Sequence, residues 1–170
     1  MKELYKNSRS IIYQMENGNI RKYAGNSVGA DLIKNEIFCL QFLNENCIGS
    51  TWFPRIINYD AEKYSWFEME YLGNSLFKNY HTVDDYIPQI DMMFDDMDFY
   101  QIAHGDIHAR NICILENKLH LIDFGYSTIN GEPFLKDSGQ LRHRPGKSSK
   151  DLMIKTVRKW LLPKNKRKNK

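Results

Sequence analysis

The densest group of chemically useful side chains in the sequence is HGDIHARN, residues 104–111. Its eight residues include two histidines, an aspartate, an arginine and an asparagine, directly after an apolar pattern typical of a helix. Asp106 can orient a hydroxyl group or accept its proton, and Asn111 offers a hard amide oxygen to a cation. The stretch is therefore a polar surface loop, a metal site or part of an active site.

The segment that follows predicts a second carboxylate beside this loop. NICILENKLHLIDFG, residues 111–125, contains two short strands, 112–115 and 119–122. A three-residue loop at 116–118 would place Asn111 opposite Asp123, and directly opposed residues project to the same side of a sheet. Both side chains carry hard oxygen ligands, which suits Mg²⁺.

A zinc site is the alternative interpretation of the same histidines. It would use His104, His108, His120 and Cys113, and the first two are four residues apart. Gly105 and the loop context disfavour a helix there, and no acid occupies the position that a metalloprotease helix requires. We therefore give the zinc site little weight.

A hairpin and a helix are predicted in the N-terminal part of the chain. Asn17-Gly18 is the strongest short signal for a two-residue hairpin loop, so residues 11–23 should form two paired strands. The loop would pair Met15 with Ile20 and Tyr13 with Lys22. Residues 30–45 should form a helix, because apolar residues recur there with helical spacing: Leu32, Ile33, Ile37, Leu40 and Leu43.

Glu36 lies on the same stripe of this predicted helix. A buried carboxylate is costly without a compensating charge, so Glu36 needs a cationic partner.

Two strands and two helices are predicted after the first helix. RIINYD and YSWFEMEYLG predict two strands joined by a turn at 61–63. A helix near Asp85 to Ile102 would direct one face to the core, formed by Tyr86, Ile90, Met93, Met97 and Tyr100. The last helix, near Ser149 to Leu162, would begin at Ser148 or Ser149 as N-cap.

Together, H-G-D-x-x-x-x-N and D-F-G resemble the catalytic and metal-binding motifs of the protein-kinase-like superfamily. The resemblance covers about residues 10–125 and has Lys22 as the strand lysine, Glu36 as its helix partner and WFEMEYLG as the hinge. It implies an α+β, two-lobed kinase-like fold within residues 1–162. The small antiparallel-sheet N-lobe would span about 1–70, the hinge 70–73, and the truncated, mostly helical C-lobe about 74–162.

The resemblance also implies ATP and Mg²⁺ as cofactors and gives the motif residues their roles. Lys22, held by Glu36, would neutralise the α- and β-phosphates. Asp106 would orient the attacking hydroxyl, and Asn111 and Asp123 would hold Mg²⁺.

Other residues would shape this site. His104 would pack under the loop, and Met69 would be the gatekeeper before the hinge. The main chain of Glu70 and Leu72 would hydrogen-bond adenine.

Three features depart from typical protein kinases. His108 stands where Ser/Thr kinases usually carry a lysine and looks more like aminoglycoside or choline phosphotransferases; we expect it near the γ-phosphate, or else bonded to the loop main chain. The phosphate flap at residues 6–13 has no glycine, as in irregular flaps of RIO and KEOPS kinases, so Ser8 and Ser10 would let the backbone approach phosphate. Only 45 residues follow Gly125, which leaves no room for peptide-docking helices.

Among the residues after Gly125, Asp151 is expected to bond the backbone of the catalytic loop, residues 104–111.

Charge is distributed unevenly along the chain. Residues 141–170 hold 12 Lys and Arg against one acid, whereas the whole chain has a net charge of +3. The last eight residues, 163–170, are expected to be a disordered, solubilising basic tail, with contact to a polyanion as the alternative. Three cysteines without disulfide spacing, and no apolar leader or membrane-length run, favour a cytoplasmic, reducing environment with free thiols.

These observations predict an ATP-dependent kinase that phosphorylates Ser or Thr of a protein, with a partner supplying the missing docking surface. Autophosphorylation is expected within STINGEPFLKDSG or KSSK. A small-molecule kinase and a pseudokinase-like binding module are the alternatives, and the complete set of catalytic residues favours an enzyme.

Overall fold

The computed structural model describes residues 1–76, 86–133 and 147–161 of the 170-residue chain. In these ranges the fold is mixed α+β, with antiparallel sheets and three α-helices, as the sequence predicts. The basic tail at 163–170 lies outside the described residues, and so do residues 134–139 of the first predicted phosphorylation segment. None of the helices in the described ranges has the length and apolar content needed to cross a bilayer.

The first sheet has five strands in the order β1-β2-β3-β5-β4. Its strands are β1 (Lys2–Lys6), β2 (Ser10–Gln14), β3 (Ile20–Ala24), β4 (Ile56–Tyr59) and β5 (Trp66–Met69). Helix α1, Ser27–Asn46, connects β3 to β4 and packs against the sheet. The two strands and the turn predicted for 55–72 are confirmed.

Helix α1 confirms the predicted helix and begins three residues earlier. Asn26 caps it, because its side-chain oxygen accepts a hydrogen bond from Gly29 N at 2.9 Å. The five predicted apolar residues of the stripe are all buried. Their burial holds the inner face of the helix, including Glu36, against the rest of the molecule.

Two smaller three-stranded sheets follow. Their strands are β6 (Asn74–Ser75), β7 (Ile102–Ala103), β8 (Ile112–Leu115), β9 (Lys118–Leu121), β10 (Thr128–Ile129) and β11 (Glu132–Pro133). The orders are β6-β8-β9 and β11-β10-β7. Leu121 N donates to Trp52 O at 2.9 Å, so the second sheet is bonded to the segment after α1.

Helix α2, Tyr86–Phe99, is shorter than predicted. Gln101 has a φ of 53°, which ends the helical path, and the following residues join β7. Ile90, Met93 and Met97 are buried, so this face is core as predicted. Helix α3, Lys150–Leu161, packs on α2, and Ser149 Oγ accepts from Leu152 N at 3.2 Å, which confirms the N-cap.

Both predicted hairpin registers are wrong by one residue. At the first hairpin Met15 N donates to Asn19 O, and only Gly18 has positive φ, so the loop has three residues. The side chain of Asn17 accepts from Asn19 N and donates to Glu68 instead of taking part in a type I′ turn. Lys22 therefore pairs with Ile12 rather than with Tyr13.

The second hairpin shows the opposite error. Glu116 and Asn117 both have positive φ, of 50° and 64°, so the loop has two residues rather than three. Leu115 pairs with Lys118, and Ile122 N donates to Asn111 O at 2.9 Å. Asn111 is therefore opposite Ile122 and not opposite Asp123 as predicted.

Candidate functional site

Lys22 lies between two carboxylates at the centre of the candidate site. Its Nζ is 2.7 Å from Glu36 Oε2 and 2.7 Å from Asp123 Oδ1. Strand β3 directs Lys22 towards α1, and the buried stripe of α1 directs Glu36 back towards the strand. The prediction that Glu36 needs a cationic partner is confirmed.

The charges of this group do not balance, because one ammonium faces two carboxylates. Burial acts to lower the pKa of Lys22, but Asp123 and Glu36 outweigh it and the net shift is upward. Burial raises the pKa of Glu36 to about 7, although Lys22 opposes this shift. The pKa of Asp123 is lowered, because Lys22 outweighs the effect of burial. The Asp123 side chain is 41% exposed, so the group is open to solvent on the side of Asp123.

Helix α1 also fixes the segment that carries Asp123. Asn35 Nδ2 donates to Gly125 O at 3.2 Å and to Ser127 O at 3.0 Å. Glu36 Oε1 accepts from Phe124 N at 3.2 Å. Asn35 was missed in the sequence analysis, although it lies on the buried side of the predicted helix and, like Glu36, is a polar residue that needs partners there.

His104 joins this segment to the HGDIHARN loop. Asp106 N donates to His104 Nδ1 at 3.1 Å, so the ring proton is on Nε2, which lies 3.0 Å from Ile122 O. Burial lowers the pKa of His104 to about 4, so the ring is neutral. The ring also packs on Phe124, with centroids 4.6 Å apart. The prediction that His104 packs under the loop is confirmed.

The loop is held from below by residues that precede α3. Gly105 N donates to Ser148 Oγ at 2.7 Å, and Ile107 N donates to Lys147 O at 2.8 Å. Asp151, which we expected to bond the loop backbone, is exposed in the first turn of α3. That prediction is wrong, because the chain reaches the loop before the helix begins.

Asp106 is in contact with His108 and Asn111. Asn111 Nδ2 donates to Asp106 O at 3.1 Å and lies 3.5 Å from Asp106 Oδ2. Arg110 N donates to His108 Nδ1 at 3.2 Å, which leaves the ring proton on Nε2, 3.4 Å from Asp106 Oδ2. The hydrogen bond with Asp106 raises the pKa of His108, and burial opposes this. The expected bond of His108 to the loop main chain is therefore present, together with a contact to Asp106.

The donor set of Asn111 and Asp123 fits Mg²⁺ chemically. Although the two residues are one register step out of opposition, both lie at the end of the β8–β9 hairpin nearest Asp106. Among the described residues, no three His, Cys, Asp or Glu side chains form a group that could hold a metal ion. A hard cation bound here would use one carboxylate, one amide oxygen and phosphate oxygens of a ligand, which is a common magnesium arrangement.

The predicted hinge residues link the first and second sheets. Met69 is buried at the end of β5. Glu70 N donates to Arg55 O at 3.2 Å, and the Glu70 carboxylate accepts from Arg55 N and Nε. Leu72 is buried, and at Gly73, with φ of 84°, an added Cβ would lie 1.9 Å from Ile114 O. The contact of Glu70 and Leu72 with adenine stays a prediction.

Of the predicted flap residues, Ser8 lies on the turn between β1 and β2, and Ser10 is the first residue of β2. Ser10 N, one of the amides expected to approach phosphate, donates to Asn7 Oδ1 at 2.7 Å. The side chain of Asn7 therefore holds the flap. The approach of Ser8 and Ser10 to phosphate stays a prediction.

The remaining sequence interpretations concern zinc and the cysteines. His104 and His120 bond to main-chain oxygens of Ile122 and Thr51. This geometry accounts for two of the four ligands proposed for zinc. Cys39, Cys47 and Cys113 are not joined in disulfides, as predicted.

A scan of protein-family models and a search of curated proteins found no match to this sequence.

Proposed function

We propose that this chain is a minimal, two-lobed, kinase-like phosphotransferase that moves the γ-phosphoryl group of Mg·ATP to a hydroxyl acceptor. The observation that carries the proposal is the position of Lys22, within 2.7 Å of both Glu36 and Asp123. A lysine fixed by a helix glutamate beside a metal-binding aspartate is what positioning a triphosphate requires.

Each residue of the site has a task in this proposal. Lys22 binds the α- and β-phosphates, and Glu36 keeps it from turning away. Asn111 and Asp123 would hold Mg²⁺, which would neutralise phosphate charge when bound. Asp106 orients the acceptor hydroxyl, and positioning and charge stabilisation supply most of the rate.

His108 supports Asp106 in this arrangement. With its Nδ1 accepting from the main chain, its Nε2 proton faces the Asp106 carboxylate at 3.4 Å. His108 thereby holds the Asp106 carboxylate in position, and a carboxylate held in this way can accept a hydrogen bond from the acceptor hydroxyl.

We propose Ser or Thr of a protein as the acceptor, with a partner supplying the docking surface. A small-molecule acceptor is the second candidate, and the observation that favours it is the histidine at position 108, which resembles aminoglycoside phosphotransferases.

The first experiment measures thermal stability with and without Mg·ATP. At 100 times its dissociation constant a ligand adds about 2.7 kcal/mol, and we expect a rise in Tm of about 5–10 °C for the wild-type chain. Asp123→Asn should lose most of this rise. Asp151→Asn, an exposed acid on α3, is the matched control and should retain it. No rise in the wild-type chain would contradict nucleotide binding.

The second experiment follows γ-labelled ATP. Asp106→Asn should abolish transfer to any acceptor, including the chain itself, while the Mg·ATP-induced rise in Tm remains. Loss of both would mean that Asp106 has another role. A wild-type chain that binds Mg·ATP and transfers no phosphate would favour the binding-module alternative.

A further inference from the structure

The turn between β1 and β2 uses its own amides internally. Asn7 Oδ1 accepts from Arg9 N at 2.8 Å and from Ser10 N at 2.7 Å, and Asn7 N donates to Ser10 O at 2.9 Å. Phosphate-binding loops offer such main-chain N–H groups to the anion. Here the amides of Asn7, Arg9 and Ser10 are already bonded, so the turn cannot offer these three without breaking its own structure.

The turn nevertheless lies close to the start of α1, because two glycines, Gly25 and Gly29, face it there. Gly25 N donates to Arg9 O at 2.8 Å. A Cβ added to Gly25 would lie 2.7 Å from Ser8 O, and one added to Gly29 would lie 1.9 Å from Arg9 O. Gly25 and Gly29, at the start of α1, therefore provide the close backbone approach that the flap sequence does not.

The side chain of Arg9 extends from this turn to the segment that carries Asp123. Its Nη1 donates to Tyr126 Oη at 2.7 Å. Tyr126 is three residues after Asp123, and its main-chain oxygen would lie 2.2 Å from a Cβ added to Gly105, next to Asp106. The guanidinium thus spans the space between the flap and the segment that carries Asp123.

The charge of Arg9 is available for an anion. Its side chain is exposed, and among the described residues its bonding partner is a neutral hydroxyl rather than a carboxylate. Guanidinium is permanently charged and presents a planar fork of donors that matches phosphate oxygens. Exchanging a tyrosine hydroxyl for a phosphate would therefore replace a bond to a neutral acceptor by a bond to a negatively charged one.

We infer that Arg9 is the phosphate-binding group of this flap and that it contacts the terminal phosphoryl group of a nucleoside triphosphate. The inference rests on the proposed function. The side chain does what main-chain amides do in a glycine-rich loop, and Tyr126 holds it in position when no nucleotide is bound.

The test compares ATP with ADP, each with Mg²⁺, by titration calorimetry. Arg9→Ala should weaken ATP binding at least 10-fold, the effect of losing a charged hydrogen bond, and should change ADP binding less than 3-fold. The ATP affinity of Arg9→Lys should lie between those of the wild type and Arg9→Ala. Arg158→Ala is the matched control, because Arg158 is another exposed arginine bonded to a tyrosine hydroxyl, that of Tyr86, and it should leave both affinities unchanged.

The outcomes separate the inference from the proposed function. A wild-type chain that binds neither nucleotide would overturn both. Wild-type binding of ATP and ADP that Arg9→Ala leaves unchanged, or weakens equally, would overturn only the inference. We expect the wild type to bind ATP more tightly than ADP, and Tyr126→Phe should keep this preference. If Tyr126→Phe removes the preference as fully as Arg9→Ala does, Arg9 acts only by holding the turn. That outcome would overturn a direct contact between Arg9 and the phosphate.

Discussion

Arg21 and Lys22 are neighbours on β3, yet their side chains project to opposite faces of the sheet and join different ionic groups. Arg21 Nη2 lies 2.7 Å from Glu68 Oε2, on the outer face. Lys22 Nζ lies 2.7 Å from both Glu36 and Asp123, on the face that α1 covers. Adjacent cations of the same strand thus have one carboxylate partner in one case and two in the other.

The outer group is balanced. Glu68 accepts from the side chains of Asn17, Asn19 and Arg21, and Arg21 also lies over the ring of Trp66 at 4.5 Å. One cation and one carboxylate are fully engaged, which is the arrangement of a structural cross-link.

The inner group has one carboxylate in excess, and the group is open to solvent at Asp123, whose side chain is 41% exposed. We therefore expect a ligand at the inner group, where one charge is uncompensated, and a purely structural role for the balanced outer group.

The largest expected difference between the two faces is in turnover. Lys22→Met should reduce γ-phosphoryl transfer at least 100-fold, since one positioned charge-stabilising group contributes about this much. Arg21→Met should change it less than about 3-fold, because Arg21 faces away from the site. Steady-state kcat/KM for Mg·ATP measures both, and similar losses in the two variants would show that the faces are not functionally distinct.

Stability to urea should show the next largest difference. Lys22→Met leaves Glu36, with 0% side-chain exposure, near Asp123 without a cation, and should lower the free energy of unfolding by about 3 kcal/mol. Arg21→Met removes a pair whose arginine is 26% exposed and whose glutamate, Glu68, is 6% exposed. Because Glu68 keeps its hydrogen bonds from Asn17 and Asn19, the change should cost about 1 kcal/mol. As a control, the double variant Lys22→Met/Glu36→Gln should regain part of the loss. Equal costs for the two single variants would contradict the comparison.

The pH dependence of stability should differ in sign between the two groups. Burial raises the pKa of Glu36 to about 7, so its contribution to stability is present below its unfolded pKa and is lost as the pH rises through about 7. Hydrogen bonds from Asn19, Asn17 and Arg21 lower the pKa of Glu68, so its contribution is present above its unfolded pKa and is lost as the pH falls through the folded pKa.

Unfolding free energies between pH 3.5 and pH 8 test this difference in sign. Relative to wild type, Glu36→Gln should flatten the decline between about pH 4.5 and pH 7. Glu68→Gln should reduce the loss of stability at the acidic end. The titrations of His104 and His120 are common to all three proteins and cancel in the differences. Curves shifted in the same direction would refute the assigned pKa directions.

The sequence predicts the elements of this fold better than it predicts their registers. The apolar stripe of α1 and the positions of the main strands along the chain depend on local periodicity, which can be read directly from the sequence. Registers depend on backbone angles in the loops, and the two Asn-containing turns behave in opposite ways. Asn17 uses its side chain to bond Glu68, whereas Asn117 adopts positive φ itself. Nothing adjacent in the sequence separates these two cases.

The candidate site shows the same division between local and non-local information. Glu36 can be recognised from its place on an apolar stripe, and Asn35 has a comparable signal, since it is a polar residue on the buried side of the same helix. Ser148 and Arg9 have no such signal. Their contacts with Gly105 and Tyr126 join residues 43 and 117 positions apart, and only the folded chain brings them together.

The contacts of α1 with the segment that carries Asp123 also set the time at which the site can form. Lys22 and Asp123 are 101 residues apart in the chain, and Asn35 and Ser127 are 92 apart. Closing loops of this length has an entropic cost that precedes any gain from the contacts, so such pairings form slowly. During synthesis the first sheet and α1 emerge long before residue 127 does. Until then the growing chain has Lys22 and Glu36 but no Asp123, and it holds only half of its candidate site.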